Sequence, residues 1–520
     1  MHPAHLPPPS RSLRFIRPVF ALALTAALAL SLPPGALRGA SAPAAIGWDA
    51  VPGILARIKA PTFPNRDFPI TNYGAKGDGT TDCTDAIRQA IAACNAAGGG
   101  RVVVSGGVFF TGPVHLKSNV NLHIAEGTTL KFTADKSKFP IVLARYEGVE
   151  IMNHSPLIYA FEQENIAVSG KGTLDGSASN AEGNWWGRGG GAGRGRGGPG
   201  GPGGAGAAAG PGGTAGAPGA PAVAGAGGRG ANRGGGVAFQ PAPPPGPYAG
   251  PEQRRQRPNF WVPFRCKNVL IEDVTIINSP MWELNPVYCT NVTVRGVNIN
   301  CHGPNNDGCD PDSCNDVLIE NCIFDTGDDC IAIKSGKDFD GRRVNIPCEN
   351  IIIRNCVMKD GHGGVVMGSE NSGGVRNVFA EDCVMDSPHL ERALRLKTNS
   401  GRGGFHENVF FRNIKIGRVS DSILTIDLIY GRVMEGAYPP QVRNVLMENI
   451  TATSAPRVLS IIGTPKSVVE NVRIVNSKFT GVEGPDRLIH SGTVTYQNVT
   501  IEEAPPKPGE APRARSPNGN

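Results

Sequence analysis

The sequence predicts an all-β protein folded as a single-domain parallel β-helix. One short apolar pattern recurs along the chain, and in each copy two alternating strand signals are separated by Asn, Asp or Gly turns. A unit this small cannot bury its own apolar face, whereas stacked units bury a continuous core. The repeats lie 23 to 36 residues apart and centre on Asn268, Asn291, Asp316, Asn350, Asn377, Asn408, Asn444 and Asn471.

A short amphipathic helix is predicted from Thr84 to Ala96, ahead of the repeats. Its apolar residues at i, i+3, i+4 and i+7 are Ile87, Ala90, Ile91 and Cys94. Three consecutive glycines from Gly98 end it. Because the first coil of a β-helix leaves an open sheet edge, we expect this helix to cap that edge.

Equivalent positions of stacked coils predict ladders of identical side chains. The repeat asparagines should bond from turn to turn. Two sets of cysteines share repeat positions and are expected to fill the interior as small side chains. The first set is Cys266, Cys289, Cys314 and Cys348, and the second is Cys322, Cys356 and Cys383. No CxxC pair occurs, so a zinc site is not predicted.

Composition divides the chain into an export signal, one interrupted domain and a tail. Residues 1–42 resemble a signal peptide, with an uncleaved anchor as the alternative. The β-helix is predicted over 43–503 and the tail over 504–520 is expected to be disordered. Residues 187–257 form a predicted disordered insert, because 25 of the 50 positions in 187–236 are Gly.

The net charge of +6 comes from segments outside the predicted folded body. Residues 1–38 carry four Arg and no acid, and 187–257 carry eight Arg and one Glu. The remainder has 39 basic and 44 acidic residues. This mildly acidic balance gives no support to a nucleic-acid role, and no later segment is apolar enough to span a membrane.

Polar residues recur about once per coil in the second half of the repeats. Asp328 follows Asp307 by 21 residues, and the later members follow at 33 to 35 residues. These intervals approximate the repeat, so the side chains can stack along one groove. The later members are His362, Arg395 with Lys397, and Tyr430.

Adjacent carboxylates resist ionising together, so one carboxyl of this group is expected to stay protonated while another is charged. Glycoside hydrolysis needs that split between a general acid and a general base. Arg395 and Lys397 are two residues apart, so a strand points both to one side. Paired cations suit a substrate that carries carboxylates.

Four segments, in order and in spacing, resemble the signature of the polygalacturonases, glycoside hydrolase family 28: Asn305-Asn-Asp-Gly308, Gly327-Asp-Asp329, Gly361-His-Gly363 and Arg395-Leu-Lys397. The resemblance implies a right-handed, pectin-lyase-like β-helix that hydrolyses α-1,4 galacturonosyl bonds with inversion. It implies that Asp328 is the general acid and that Asp307 and Asp329 activate water. It further implies that His362 supports the acid, and that the substrate is bound by Arg395, Lys397, Tyr430 and Asn305.

The same resemblance implies no metal or organic cofactor and a substrate of polygalacturonate or pectin oligosaccharides. We expect a monomer. The stretch from Gly361 to Glu370 favours bacterial exo-acting members. We predict an exported enzyme, periplasmic or secreted. Three alternatives stay open: a hydrolase of xylogalacturonan or rhamnogalacturonan, a pectate lyase, and a non-catalytic carbohydrate-binding β-helix.

Several nearby residues have two interpretations. Asp310 and Asp312 are read as solvated turn carboxylates, with a Ca²⁺ site shared with Asp307 as the alternative. Trp185 and Trp186 suit packing or sugar stacking. His302 suits a structural role or substrate contact equally.

Overall fold

The chain forms a right-handed parallel β-helix, as the repeat predicts. The structure is a computed structural model that describes residues 46–187 and 256–505. The predicted signal peptide, almost all of the insert and almost all of the tail lie outside these residues. In the described part, no helix is long and apolar enough to cross a membrane.

The described residues contain three α-helices and many short strands. The helices are α1, Val51–Arg57, α2, Thr84–Ala96, and α3, Asp338–Val344. The strands, numbered β1 to β35 along the chain, are Asp67–Pro69, Asp78–Asp82, Gly100–Val104, Val108–Thr111, Val114–His115, Val120–Ile124, Thr129–Phe132, Ile141–Tyr146, Val149–His154, Ile158–Phe161, Glu164–Ser169, Thr173–Asp175, Trp261–Phe264, Lys267–Glu272, Thr275–Ile277, Thr290–Arg295, Asn298–Cys301, Asn315–Glu320, Ile323–Thr326, Ile331–Ile333, Cys348–Arg354, Val357–Met358, Val365–Gly368, Val375–Glu381, Val384–Met385, Arg392–Lys397, Phe405–Arg412, Lys415–Arg418, Ser422–Asp427, Gln441–Glu448, Thr451–Ser454, Arg457–Ile462, Val469–Val482, Arg487–Ile489 and Val494–Glu503.

Each coil contributes strands to up to three parallel sheets. Two of these are the long ladders exemplified by β14–β16–β18 and β15–β17–β19. The third runs β5–β10–β13 and then β20–β23–β26–β29–β32–β34. Between its two parts, the described residues of this sheet are joined only by isolated bridges, in the rows Trp261–Leu284–Cys309–Ile331 and Phe264–Val287–Asp312–Lys334. This interrupted stretch of the third sheet carries the candidate site.

An asparagine ladder holds the turns in register, as predicted. The side-chain amide of Asn377 donates to Asn350 Oδ1, and the amide of Asn408 donates to Asn377 Oδ1, both at 3.1 Å. The eight repeat positions all have φ between 53° and 59°, a conformation that Asn adopts more readily than most residues. At Asp316 the ladder is interrupted, because the carboxylate binds Arg57 and Asn315 accepts from the next coil instead.

The predicted cysteine ladders are also present. All twelve cysteines are buried free thiols within the described residues. In the first ladder the backbone N–H of Cys289 donates to Cys314 Sγ, and that of Cys314 donates to Cys348 Sγ, both at 3.4 Å. The thiols therefore fill the interior as small, weakly polar side chains.

The capping helix α2 has the predicted bounds and buries all four predicted residues. Helix α1 was not predicted. It lies on the outside of the coils, where Val51 and Ile54 join Ile352 and Phe379 in a separate apolar cluster. Helix α3, between β20 and β21, was not predicted either. Both helices have only seven residues, which is too short to show a clear 3.6-residue period.

Candidate active site

Asp307, Asp328 and Asp329 meet at the interrupted part of the third sheet. One carboxylate oxygen from each lies within 4.8 Å of the others. The coils that carry them are adjacent, because Gly308 N–H donates to Asp329 O at 3.0 Å and Asp328 N–H donates to Asn306 O at 3.1 Å. The repeat spacing of the sequence therefore places the three acids together.

The first signature segment is shaped by its two central residues. The buried Asn306 side chain accepts from Gly303 N–H at 2.6 Å and donates to the carbonyls of Ser279 and Met281. A Cβ at Gly308 would lie 2.5 Å from Cys330 O, so the coils approach closely only with glycine there. Together these contacts fix where Asp307 projects.

His362 pairs with Asp328 across the coils. It lies in the turn before β23, and its Nδ1 is 2.9 Å from Asp328 Oδ1. The hydrogen bond to Asp328 raises the pKa of His362 despite partial burial. Burial raises the pKa of Asp328, but the His362 hydrogen bond and the charges of Lys397, His362 and Lys334 outweigh burial and lower it to about 2. The two groups therefore form an imidazolium–carboxylate pair that holds one proton.

Asp307 behaves in the opposite way. Its side chain is buried, and burial followed by the charges of Asp310 and Asp328 raises its pKa well above the usual range. The pKa values of the neighbouring carboxyls Asp307 and Asp328 are thus shifted in opposite directions, as expected. Its direction differs from what the assigned roles suggest, because the assigned base holds its proton more tightly than the assigned acid. His362 contributes to this reversal, because its hydrogen bond and charge lower the pKa of the assigned acid, Asp328.

The cations of β26 face Asp329. Lys397 Nζ is 2.5 Å from Asp329 Oδ2, and Arg395 Nη1 is 3.6 Å from Oδ1. Both side chains point the same way, as their i, i+2 spacing predicts. The Lys397 side chain is only 7% exposed, so Lys397 acts on Asp329 more than on the open groove.

Tyr430 follows β29 and lies beside the cations of β26. Its ring centroid is 5.8 Å from the Arg395 guanidinium, 5.4 Å from Lys397 Nζ and 5.9 Å from the Arg402 guanidinium. The structure therefore brings Tyr430 to the same end of the groove as the predicted substrate-binding cations.

Residues 223–504 match the model of the glycosyl hydrolases family 28, which is more than half of the chain. The chain belongs to glycoside hydrolase family 28. The exopolygalacturonase of Thermotoga maritima is similar in structure, with a TM-score of 0.73 and 38% identity over 87% of this chain and 96% of that one.

Sequence relatives are similar over much of the chain. The exo-poly-alpha-D-galacturonosidase of Dickeya chrysanthemi is 28% identical over 83% of this chain and 70% of its own length. A probable polygalacturonase of Vitis vinifera is 26% identical over 66% of this chain, and the match spans 60% of the grape protein.

This family 28 hydrolase has a further arginine, Arg257, beside the candidate site. The sequence analysis assigned Arg257 to the insert. Arg257 Nη2 donates to Asn305 Oδ1 at 2.8 Å, and its Nη1 donates to the carbonyls of Pro280 and Pro304. The exposed Asn305 is therefore held by Arg257. The sequence gives little signal for this contact, because Arg257 is one of three arginines at the end of a low-complexity segment.

Nearby aromatic residues are mostly packing residues. Trp185 is buried against Phe139 with ring centroids 5.2 Å apart. Trp186 is half-buried and donates to Ser279 O at 3.2 Å, and a Cβ at Gly303 would meet its ring. His302 Nε2 is 3.0 Å from Asp325 Oδ1.

The interpretation of Asp310 and Asp312 as solvated carboxylates was wrong. Both are fully buried. Asp312 Oδ1 pairs with the buried Arg145 at 3.0 Å, and Asp310 Oδ2 lies 3.7 Å from Lys334 Nζ. Arg145 and Lys334 therefore already balance the charges that a Ca²⁺ ion would neutralise. Buried charges require partners, and a one-dimensional sequence does not reveal partners from distant coils.

Two groups in the described part of the chain have ligand atoms close enough for a metal ion. They are Asp307 with Asp328 and Asp329, and the more exposed His302 with Asp325 and Asp360. The first group is already compensated by Lys334, Lys397 and His362, so its donor set fits an acid–base site better than a cation site.

Proposed function

We propose that this family 28 hydrolase is a polygalacturonase that cleaves α-1,4 galacturonosyl bonds of polygalacturonate. The observation that carries the proposal is the contact between a cluster of three carboxylates and the cation pair Arg395 and Lys397. The carboxylates supply acid–base chemistry, and the cations recognise a uronate. The similarity to the exopolygalacturonase of Thermotoga maritima supports this choice of substrate.

In the proposed reaction, the proton of the His362–Asp328 pair is delivered to the leaving oxygen through Asp328. In the free enzyme this proton lies on the His362 side of a 2.9 Å hydrogen bond. When a sugar replaces water in the groove, the ion pair loses solvent screening and the neutral pair, with the proton on Asp328, becomes more favourable. His362 thus serves as the proton store for the general acid.

Asp329 and Asp307 activate the attacking water in this proposal. Asp329 Oδ2 is bound by Lys397, while its buried Oδ1 accepts no hydrogen bond from the described residues. An unused lone pair beside the cluster suits a carboxylate that accepts a proton from water. Asp307 must lose its own proton before it can help.

The substrate carboxylate is bound at the far end of the groove. Arg395 Nε is buried and has no hydrogen-bond partner among the described residues, so this donor is unused in the free site. Tyr430 and Asn305 are the proposed further contacts. A bidentate Arg–carboxylate contact would also loosen the 3.6 Å Arg395–Asp329 pair.

We further propose inversion, exo action, export and a monomeric enzyme. Inversion needs carboxyl groups about 6.5–9.5 Å apart to admit a water. The 4.8 Å found here is an upper limit on the distances between selected single oxygens, and the proposal of inversion rests on the family resemblance. Exo action is supported by the Gly361–Glu370 segment and by the exo-acting relatives, and export by the pattern of residues 1–42.

The test is mass spectrometry of the products from polygalacturonic acid, with a chelator present. Saturated monomer means exo hydrolysis, and a ladder of saturated oligomers means endo hydrolysis. Unsaturated products that disappear with chelator would overturn the assignment in favour of a lyase. Proton NMR of the first product anomer tests inversion.

Replacement of the acid gives the matched control. Asp328→Asn should lower kcat about 10²–10⁴-fold. Asp85→Asn, on the exposed face of α2, should keep full activity. Equal activity of both variants would exclude Asp328 as the acid and favour another catalytic site.

A further inference from the structure

Lys334 is a buried cation directly beneath the carboxylate cluster. Its side chain is 3% exposed, and Nζ lies 3.4 Å from Asp307 Oδ2, 3.4 Å from Glu370 Oε2 and 3.7 Å from Asp310 Oδ2. The ammonium also lies 4.5 Å from the centroid of the Trp282 ring. Lys334 directly follows the apolar strand β20, and its side chain is buried inside the protein.

Glu370 and Arg402 hold Lys334 from the other side. Glu370 Oε1 is 2.8 Å from Arg402 Nη1 and accepts from Ser369 Oγ at 3.0 Å. The Arg402 guanidinium in turn lies beside Tyr430. An alternating series of charges therefore runs from the proposed substrate-binding end to Asp307, through Arg402, Glu370 and Lys334.

The acids around Lys334 oppose ionisation of Asp307 by charge repulsion. Burial is the largest cause of the raised pKa of Asp307. The charges of Asp310 and Asp328 raise this pKa further, and the charge of Lys334 lowers it. Asp329 acts in the same direction as Asp310. Asp310 itself is buried with neither oxygen hydrogen-bonded to a described residue. Among the groups that most affect Asp307, Lys334 alone favours its charged form.

We propose that Lys334 is a positioning residue that favours ionisation of the Asp307 carboxyl group and holds it in place for water activation. This inference rests on the proposed hydrolase function of the cluster. Lys334 does not reach the substrate, because it is enclosed by Asp307, Asp310, Glu370 and Trp282. Its effect on the reaction passes through Asp307.

The experiment compares pH profiles of kcat/KM on polygalacturonic acid. Loss of an opposite charge within about 4 Å shifts a carboxyl pKa up by about 1–3 units. In Lys334→Met, the pH below which activity is lost should therefore rise by about 1–3 units. Lys334→Arg retains the charge and should return this limb to within about half a unit of the wild type.

Arg145→Met is the matched control for loss of a buried cation. Arg145 pairs with Asp312 and Ser313 rather than with the cluster. This variant should lose stability while its pH profile remains that of the wild type. A shift as large as that of Lys334→Met would show that any buried cation has the effect, and would overturn the proposal.

Lys334→Met leaves three carboxylates without their cation and can fail to fold. The double variant Lys334→Met/Asp310→Asn removes one cation and one anion together. Its acidic limb is compared with that of Asp310→Asn alone, and we expect the same upward shift of about 1–3 pH units. Coincident profiles would overturn the role of Lys334. A wild-type enzyme that does not hydrolyse polygalacturonic acid would instead contradict the proposed function.

Discussion

The buried His406 should make the stability of the fold fall as the pH falls. His406 lies on β27 with 1% of its surface exposed. Its Nε2 bonds the Asn371 amide, whose oxygen can accept from the ring while its nitrogen donates to Ile333 O and Glu370 O. The other ring nitrogen, Nδ1, has no hydrogen-bond partner among the described residues. A proton at Nδ1 would therefore be both buried and unpaired.

The size of the effect follows from the pKa of His406. Burial lowers this pKa from 6.5 to about 3. The folded protein then stays neutral at His406 between these values while the unfolded chain binds a proton. This favours unfolding by about 1.4 kcal/mol per pH unit. The group is fully stabilising above pH 6.5, and about 3 kcal/mol of that stability is lost by pH 4.

The assay is urea unfolding of the wild type and His406→Gln at several values between pH 8 and pH 4. Glutamine keeps a polar group near Nε2 but does not titrate. The difference in free energy of unfolding between the two proteins should therefore shrink by about 3 kcal/mol as the pH falls. His389→Gln, at an exposed histidine, controls for loss of any histidine. A difference that stays constant with pH would refute the reasoning.

Three further predictions concern the ladders and the acid. Asn377→Ala should lower the free energy of unfolding by about 2–4 kcal/mol, because it removes two ladder hydrogen bonds and places Ala at φ 58°. Asn377→Gly should lose less in urea unfolding, and equal losses would contradict the backbone contribution. His362→Asn should lower kcat by about 10² and move the alkaline limb of the pH–rate profile, since the Asp328–His362 pair then loses its proton store. An unchanged limb would contradict that role. Titration with a thiol reagent should find all twelve cysteines unreactive in the native protein and reactive in urea, whereas several fast native thiols would contradict the burial of the ladders.

The features that sequence predicts well are those that repeat. The asparagines and cysteines recur at one position per coil, so pattern alone shows that they stack. The capping helix α2 was found because its apolar period spans thirteen residues. The carboxylates, His362 and the β26 cations were brought together by the same repeat spacing.

The features that sequence missed depend on one coil meeting another at a single point. Lys334, Glu370 and Arg402 lie 32 to 68 residues apart along the chain and belong to no repeat pattern. Only the fold shows that Glu370 binds both cations. Asp310 and Asp312 have turn-like neighbours in the sequence and yet are buried. Arg257 lies at the edge of a segment whose composition conceals its contact with Asn305.

The register of the coils connects the ladders to the chemistry. Ionised groups in a protein interior are stable only when their partners are well placed, and here Asp328, Asp329 and Glu370 each take a cation from another coil. In β26, a slip of one residue would exchange the directions of Arg395 and Lys397 with those of buried leucines. The asparagine ladder opposes such slips on both sides of this coil, through Asn377, Asn408 and Asn444, and the cysteine ladders oppose them in the preceding coils. They therefore fix the electrostatics of the site before substrate binds, although none of their residues is assigned a part in the reaction.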